Sequence, residues 1–215
     1  MVLLTVLVAA SCGGASREAG PAVVRPGAPG EATRPVERGE GQAAVRPRHV
    51  AADVRFMQGM IAHHAQALVM TDLVPGRSRR EDMRLLAQRI EVSQADEIAR
   101  MRRWLGARGE TVPAVGSDHA RHGAGGDTAL MPGMLTAGEL DRLAAAEGAA
   151  FDRLFLGFMI RHHEGALTMV AELFTNDGAG QEPEVFQFAS HVDADQRAEI
   201  ARMRTMQNNI PRGSE

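Results

Sequence analysis

One eighteen-residue segment of this chain occurs twice, and that repeat limits what the chain can fold into. Asp53-Val-Arg-Phe-Met-Gln-Gly-Met60-Ile-Ala-His63-His64-Ala-Gln-Ala-Leu-Val-Met70 recurs 99 positions later as Asp152-Arg-Leu-Phe-Leu-Gly-Phe-Met159-Ile-Arg-His162-His163-Glu-Gly-Ala-Leu-Thr-Met169, with 9 of 18 positions identical. A second pair follows at an offset of 102: Gln94-Ala-Asp-Glu97-Ile-Ala-Arg-Met101-Arg102 and Gln196-Arg-Ala-Glu199-Ile-Ala-Arg-Met203-Arg204, with 7 of 9 identical. Both segments carry the helical period, so each copy is a helix pair. A unit used twice buries against its copy the apolar face it cannot bury alone.

Breaker residues divide the chain accordingly. A helical pattern runs from about His49 to Leu73 and stops at Pro75-Gly76. Ser78-Arg-Arg-Glu81 has capping-box spacing and opens a second helix to about Leu105, closed by Gly106 and Gly109. Thr136-Ala-Gly-Glu139 has the same spacing and opens a pattern to about Phe174, which Gly148 divides. Asn176-Asp177-Gly178 is turn chemistry, and Pro183 suits the first turn of a last helix ending near Asn209. Short turns make each pair antiparallel. The expectation is an all-α four-helix bundle over residues 49–210, with repeats at about 49–106 and 136–209. An aromatic content of 4%, with no Tyr and one Trp, fits helices better than strands.

The N-terminus reads as an export signal. Met1 to Ala10 is apolar but too short to span a bilayer, and Ala9-Ala10-Ser11-Cys12 follows it. That ending resembles a bacterial lipobox, in which the Cys becomes lipidated. The segment departs from the usual pattern in having Ala9 where Leu is common and no basic residue ahead of the apolar run. The expectation is a signal over residues 1–12, lipidation at Cys12, and a cell-membrane lipoprotein facing the periplasm or cell exterior. As the only Cys, Cys12 offers no intramolecular disulfide. Residues 13–48, rich in Gly, Pro, Ala, Arg and Glu, read as a flexible tether.

The chemistry lies in the repeat. On a helical wheel centred on Met60, at about 100° per residue, His63 and His64 fall roughly 60° and 40° to either side, inside the buried stripe. Gln94, Glu97 and Met101 share one face of the partner helix. Two His, one Gln and one Glu per hairpin therefore point inward, and unpaired burial would cost a few kcal/mol each. A closed hydrogen-bond network would satisfy a lone inward His. Four, each with Met a turn away, point instead to a transition metal. Imidazole is a general ligand, and the thioether is a soft one that prefers Cu(I) and serves Mg²⁺ or Ca²⁺ poorly. The expected ligands to a copper ion, as Cu(I) or Cu(II), are Met60, His63, His64 and Met101, with Met159, His162, His163 and Met203 in the second copy. Glu97 and Glu199 would orient imidazoles from behind. Met70 and Met169 sit at the stripe's edge. The exposed, Gly-rich loop from about Ala107 to Leu135 adds His119, His122 and Met131-Pro-Gly-Met134, which could capture or hand over an ion; for His119 and His122 a merely solvated loop is an equal alternative. Ligand imidazoles must be neutral, so affinity should fall below about pH 6.

These motifs resemble those of a bacterial family known as domain of unknown function 305. The resemblance rests on Phe-x-x-x-Met-Ile-x-His-His around Met60 and Met159, Gln-x-x-Glu-Ile-x-x-Met around Glu97 and Glu199, and Met131-Pro-Gly-Met134. It covers about Val50 to Asn209. It implies a ferritin-like four-helix bundle and metal binding at the His pairs and neighbouring Met residues, as in members similar to periplasmic copper-resistance proteins.

The functional expectation is a non-enzymatic protein that scavenges or chaperones copper. One alternative is a ferritin-like di-iron oxidoreductase, which typically needs Glu-x-x-His motifs absent from these helices. Another is a metal-free interaction scaffold. A formal charge of −3 gives nucleic acid no basic surface, so the expected partners are metal ions and, through the anchor, a membrane. Oligomeric state is not legible.

Overall fold

A computed structural model describes residues 24–25, 27–35, 47–114 and 130–210. Among the described residues six helices carry the fold: α1 (Ala51–Thr71), the single turn α2 (Val74–Arg77), α3 (Glu81–Ala107), α4 (Ala137–Ala145), α5 (Gly148–Leu173) and α6 (Pro183–Asn208). Outside them, Val24–Arg25 and Arg34–Pro35 form a two-residue antiparallel ladder, within what the sequence suggested was a plain tether. Among the described residues no helix is long and apolar enough to cross a membrane. Cys12, His119 and His122 lie outside the described residues.

The caps show which local signals operate. Thr136 forms its capping box, with Glu139 N–H donating to its hydroxyl and the Glu139 carboxylate accepting from Thr136 N–H. Ser78 does not. Its hydroxyl accepts from Arg80 N–H instead, and α3 starts at Glu81 with Arg80 as its uncapped boundary. Pro75-Gly76 does not simply break the chain, because Pro75 fits the first turn of α2, where its missing N–H costs nothing. Asp53 reaches back to Val50 N–H at the start of α1, and its other oxygen accepts from Gly180 N–H at 2.7 Å, tying the first hairpin to the second.

α1 packs along α3, and α5 along α6, giving two antiparallel hairpins that meet through α1 and α5. The long connection between them resembles that of ferritin-like bundles. The core falls into two apolar clusters, one at each end of the bundle. One joins Val54–Ile61 of α1 to Ile98–Leu105 of α3, Ala166–Leu173 of α5 and Val185–Val192 of α6. The other joins Ala67–Met70, Met83–Ile90, Phe151–Met159 and Ile200–Met203. Each cluster draws on both hairpins, so neither hairpin owns a core. α1 and α5 therefore run antiparallel, related by a pseudo-dyad across the bundle's middle.

Candidate metal centre

The layer between the clusters is polar. His63, His64, His162 and His163 are 0% exposed, and Gln94, Glu97, Gln196 and Glu199 are buried beside them. The pseudo-dyad passes between His63 and His162, whose ring centroids stand 3.9 Å apart. Within each pair the geometry repeats closely: His63–His64 at 6.3 Å and 57°, His162–His163 at 6.3 Å and 56°. The two halves thus meet in one layer rather than holding separate pockets.

Each helix pair fixes one imidazole. His64 Nε2 donates to Glu97 at 2.6 Å, and His163 Nε2 donates to Glu199 at 2.7 Å. A carboxylate only accepts, so the hydrogen sits on Nε2, and it is Nδ1 that carries the lone pair whenever the ring is neutral. His63 Nε2 donates to the Pro132 carbonyl at 3.0 Å, which fixes the same tautomer. The Nδ1 atoms of all four rings lack a protein partner, and neither nitrogen of His162 makes a well-formed hydrogen bond. Both polar atoms of the Gln94 amide and the Gln196 oxygen are also unpartnered.

Burial governs the protonation of the central pair. It lowers His63 from 6.5 to about 3, with repulsion from His64 and His163 adding to it and the Pro132 carbonyl opposing it. His162 is held well below the ordinary imidazole range by burial, then by His63, His163 and His64. Both rings are therefore neutral at neutral pH, the state in which an imidazole binds a metal.

Met60, Met101, Met159 and Met203 are all 0% exposed. Met60 and Met101 belong to one apolar cluster, Met159 and Met203 to the other, so thioethers flank the imidazole layer from both ends. Met70 is fully buried rather than at an edge, as part of an apolar cluster that draws on other helices and on Leu135; Met169 is half-buried. Among the described residues no three His, Cys, Asp or Glu side chains are gathered as a ready ligand cage. The donors present are imidazole nitrogens, two of them braced by carboxylates, with thioethers above and below.

The sequence pattern missed what covers this layer. Met131-Pro-Gly-Met134 is not an exposed loop: Met134 and Leu135 are buried, and the segment lies across the site as a strap. Gln66 holds it, donating to the Leu135 carbonyl at 3.0 Å and accepting from Leu135 N–H at 2.7 Å. Gly165, one turn after His162, lets it lie down. A Cβ there would stand 1.9 Å from the Pro132 oxygen, and Gly133, at φ +76°, approaches α5 as closely from the other side. Gln66 and Gly165 occupy matching positions of the repeat, so a mismatch between the copies was the available signal.

Solved structures of similar sequence share this fold. A fragment from Deinococcus radiodurans, described by the same family name, is 31% identical, covers 75% of this chain and 99% of its own, and superposes with a TM-score of 0.62. A Streptomyces coelicolor structure, described as a putative secreted protein, is 26% identical over 76% of this chain and 96% of its own, at 0.60. CopM in its Cu(II)-bound form is 30% identical over 73% of this chain and 96% of its own, at 0.58. CopM structures in Cu(I)-bound, silver-bound and apo forms also match. None of the curated proteins matches this chain. The profile of the family described as "Domain of unknown function (DUF305)" matches residues 53–207, and the chain belongs to that family.

Proposed function

We propose that this chain is an exported copper-binding protein that scavenges or chaperones the ion, and that it is not an enzyme. The observation that carries the reading is the buried imidazole layer, with four Nδ1 atoms lacking protein partners and two rings held from behind by Glu97 and Glu199. Unpaired polar atoms in a bundle core are costly, and a cation accepting their lone pairs removes that cost. The expected ligands are His63, His64, His162 and His163, with Met60, Met101, Met159 and Met203 supplying soft donors when the ion is Cu(I). CopM, a family relative, is known in Cu(I)- and Cu(II)-bound forms, which supports copper as the cargo. The relative described as a putative secreted protein supports export, and lipidation at Cys12 would keep the protein at the membrane surface.

A metal-free scaffold is the second reading, favoured by the two His–Glu bonds, which satisfy one nitrogen each without an ion. Titration of the full chain with Cu(I), Cu(II), Ag(I), Zn(II) and Fe(II), read by competition and by thermal melting, separates the two. A ligand bound only by the folded state raises its stability, by about 2.7 kcal/mol at a hundred times Kd. Unchanged melting with every metal would leave the scaffold. The pH expectation also shifts: with His63 at about 3, protons compete for that ring only well below pH 6.

A further inference from the structure

We infer that Met131 and Met169 form a second metal site, a two-thioether site for a monovalent soft cation at the edge of the strap. Resting on the copper reading above, it is where an ion waits before reaching His63. The repeat makes room for it. Phe158, 8% exposed, fills one position of the second copy; the matching position of the first copy is Gly59. Into that notch come two sulfur side chains. A Cβ on Gly59 would lie 3.4 Å from Met131 Sδ and 3.4 Å from Met169 Cε. The two thioethers are therefore neighbours across a single helix position. Both are half-buried, whereas Met70, the counterpart of Met169, is sealed in the core.

The chemistry follows from the donors. Two uncharged thioethers suit a d¹⁰ monovalent ion, Cu(I) or Ag(I), and offer little to Zn(II) or Cu(II). The route inward is short in sequence and space. Met131 precedes Pro132, whose carbonyl accepts from His63 Nε2. His63 lies one turn beyond Gly59 on α1, so side chains at the two positions share a face. Lifting the strap releases His63 Nε2–H from the Pro132 carbonyl, so the ring can turn and offer its unpartnered Nδ1 to the ion.

The test uses the full chain with ¹³C-labelled Met methyls and ¹⁵N-labelled imidazoles, titrated with silver nitrate. The Met131 and Met169 methyls should shift together before the first equivalent is complete. In Met131→Leu, which keeps the apolar volume, the Met169 shift should vanish. Gly59→Ala places a methyl at ordinary contact distance from both side chains, and should weaken Ag(I) binding there at least about tenfold while the helical spectrum is unchanged. Zinc chloride should move neither methyl. Imidazoles responding while the Met pair stays silent, or Met169 still shifting in Met131→Leu, overturns the site. The Met pair responding while no imidazole answers Ag(I), Cu(I) or Cu(II) upholds this site and removes the copper reading of the buried layer.

Discussion

The two hairpins are alike where they face each other and unlike where they face the strap. At the dyad, His64–Glu97 and His163–Glu199 differ by 0.1 Å, and the angles within the His pairs differ by one degree. Beside the strap, Gln66 of the first copy is matched by Gly165 in the second, and Gly59 by Phe158. Chemistry that needs both halves keeps them similar. A cover that needs only one side lets them diverge. The strap accordingly occupies His63 Nε2 and leaves the matching nitrogen of His162 without a partner.

The largest effect should come from erasing that difference. Gly165→Ala puts a methyl where the Pro132 oxygen already is, so the strap must lift; we expect a loss of about 3 kcal/mol or more in chemical denaturation. Wild-type stability in that variant would mean that the strap is not seated on α5. Acid should act next, and through both halves. Unfolded imidazoles take up protons near 6.5, whereas folded His63 resists until about 3 and His162 is also depressed. The unfolded state binds more protons in that window. Stability should therefore fall as pH drops from about 6.5, by roughly 1.4 kcal/mol per unit per ring, and stay level above it. Replacing His162 by Gln should halve the slope; an unchanged slope would assign the protons elsewhere.

Gln66→Ala leaves Leu135 N–H and C=O buried without partners and should cost about 1–3 kcal/mol, less than the glycine change. Glu97→Ala and Glu199→Ala test the symmetric part. Each should weaken copper binding about 10–100-fold in competition titrations, and by similar factors. A clear inequality would show that the dyad does not extend to the carboxylates. Smallest of all is Arg89→Ala. Arg89 is mostly exposed and 3.9 Å from Glu199, so its loss should change stability by less than about 1 kcal/mol.

Much of the fold and of the candidate site was legible because burial leaves a periodic trace. The wheel placed His63, His64, Glu97 and Met101 on inward faces, and all are buried. The second copy supplied a comparison for each position. The strap left no such trace. Its seat depends on Gly165 approaching Pro132 across 33 residues, and its clasp on Gln66, which lies outside the apolar stripe of α1. Capping was legible only where a neighbour cooperated. Thr136–Glu139 closed its box with Arg161 also gripping Glu139, whereas Ser78, with the same spacing, bonded locally to Arg80. Met70 was misjudged because a wheel sees one helix, and the apolar cluster that Met70 joins is built from several.

Joining the halves in one polypeptide has a further consequence. A homodimer of identical hairpins would show two equal faces to whatever delivers or collects its cargo, because any residue placed on one side appears on the other. Covalent fusion lifts that requirement: Gln66 and Gly165 can differ, so a clasp and a seat exist on one side only. The bundle thereby gains a front and a back, and an exchange partner would meet it in a single orientation.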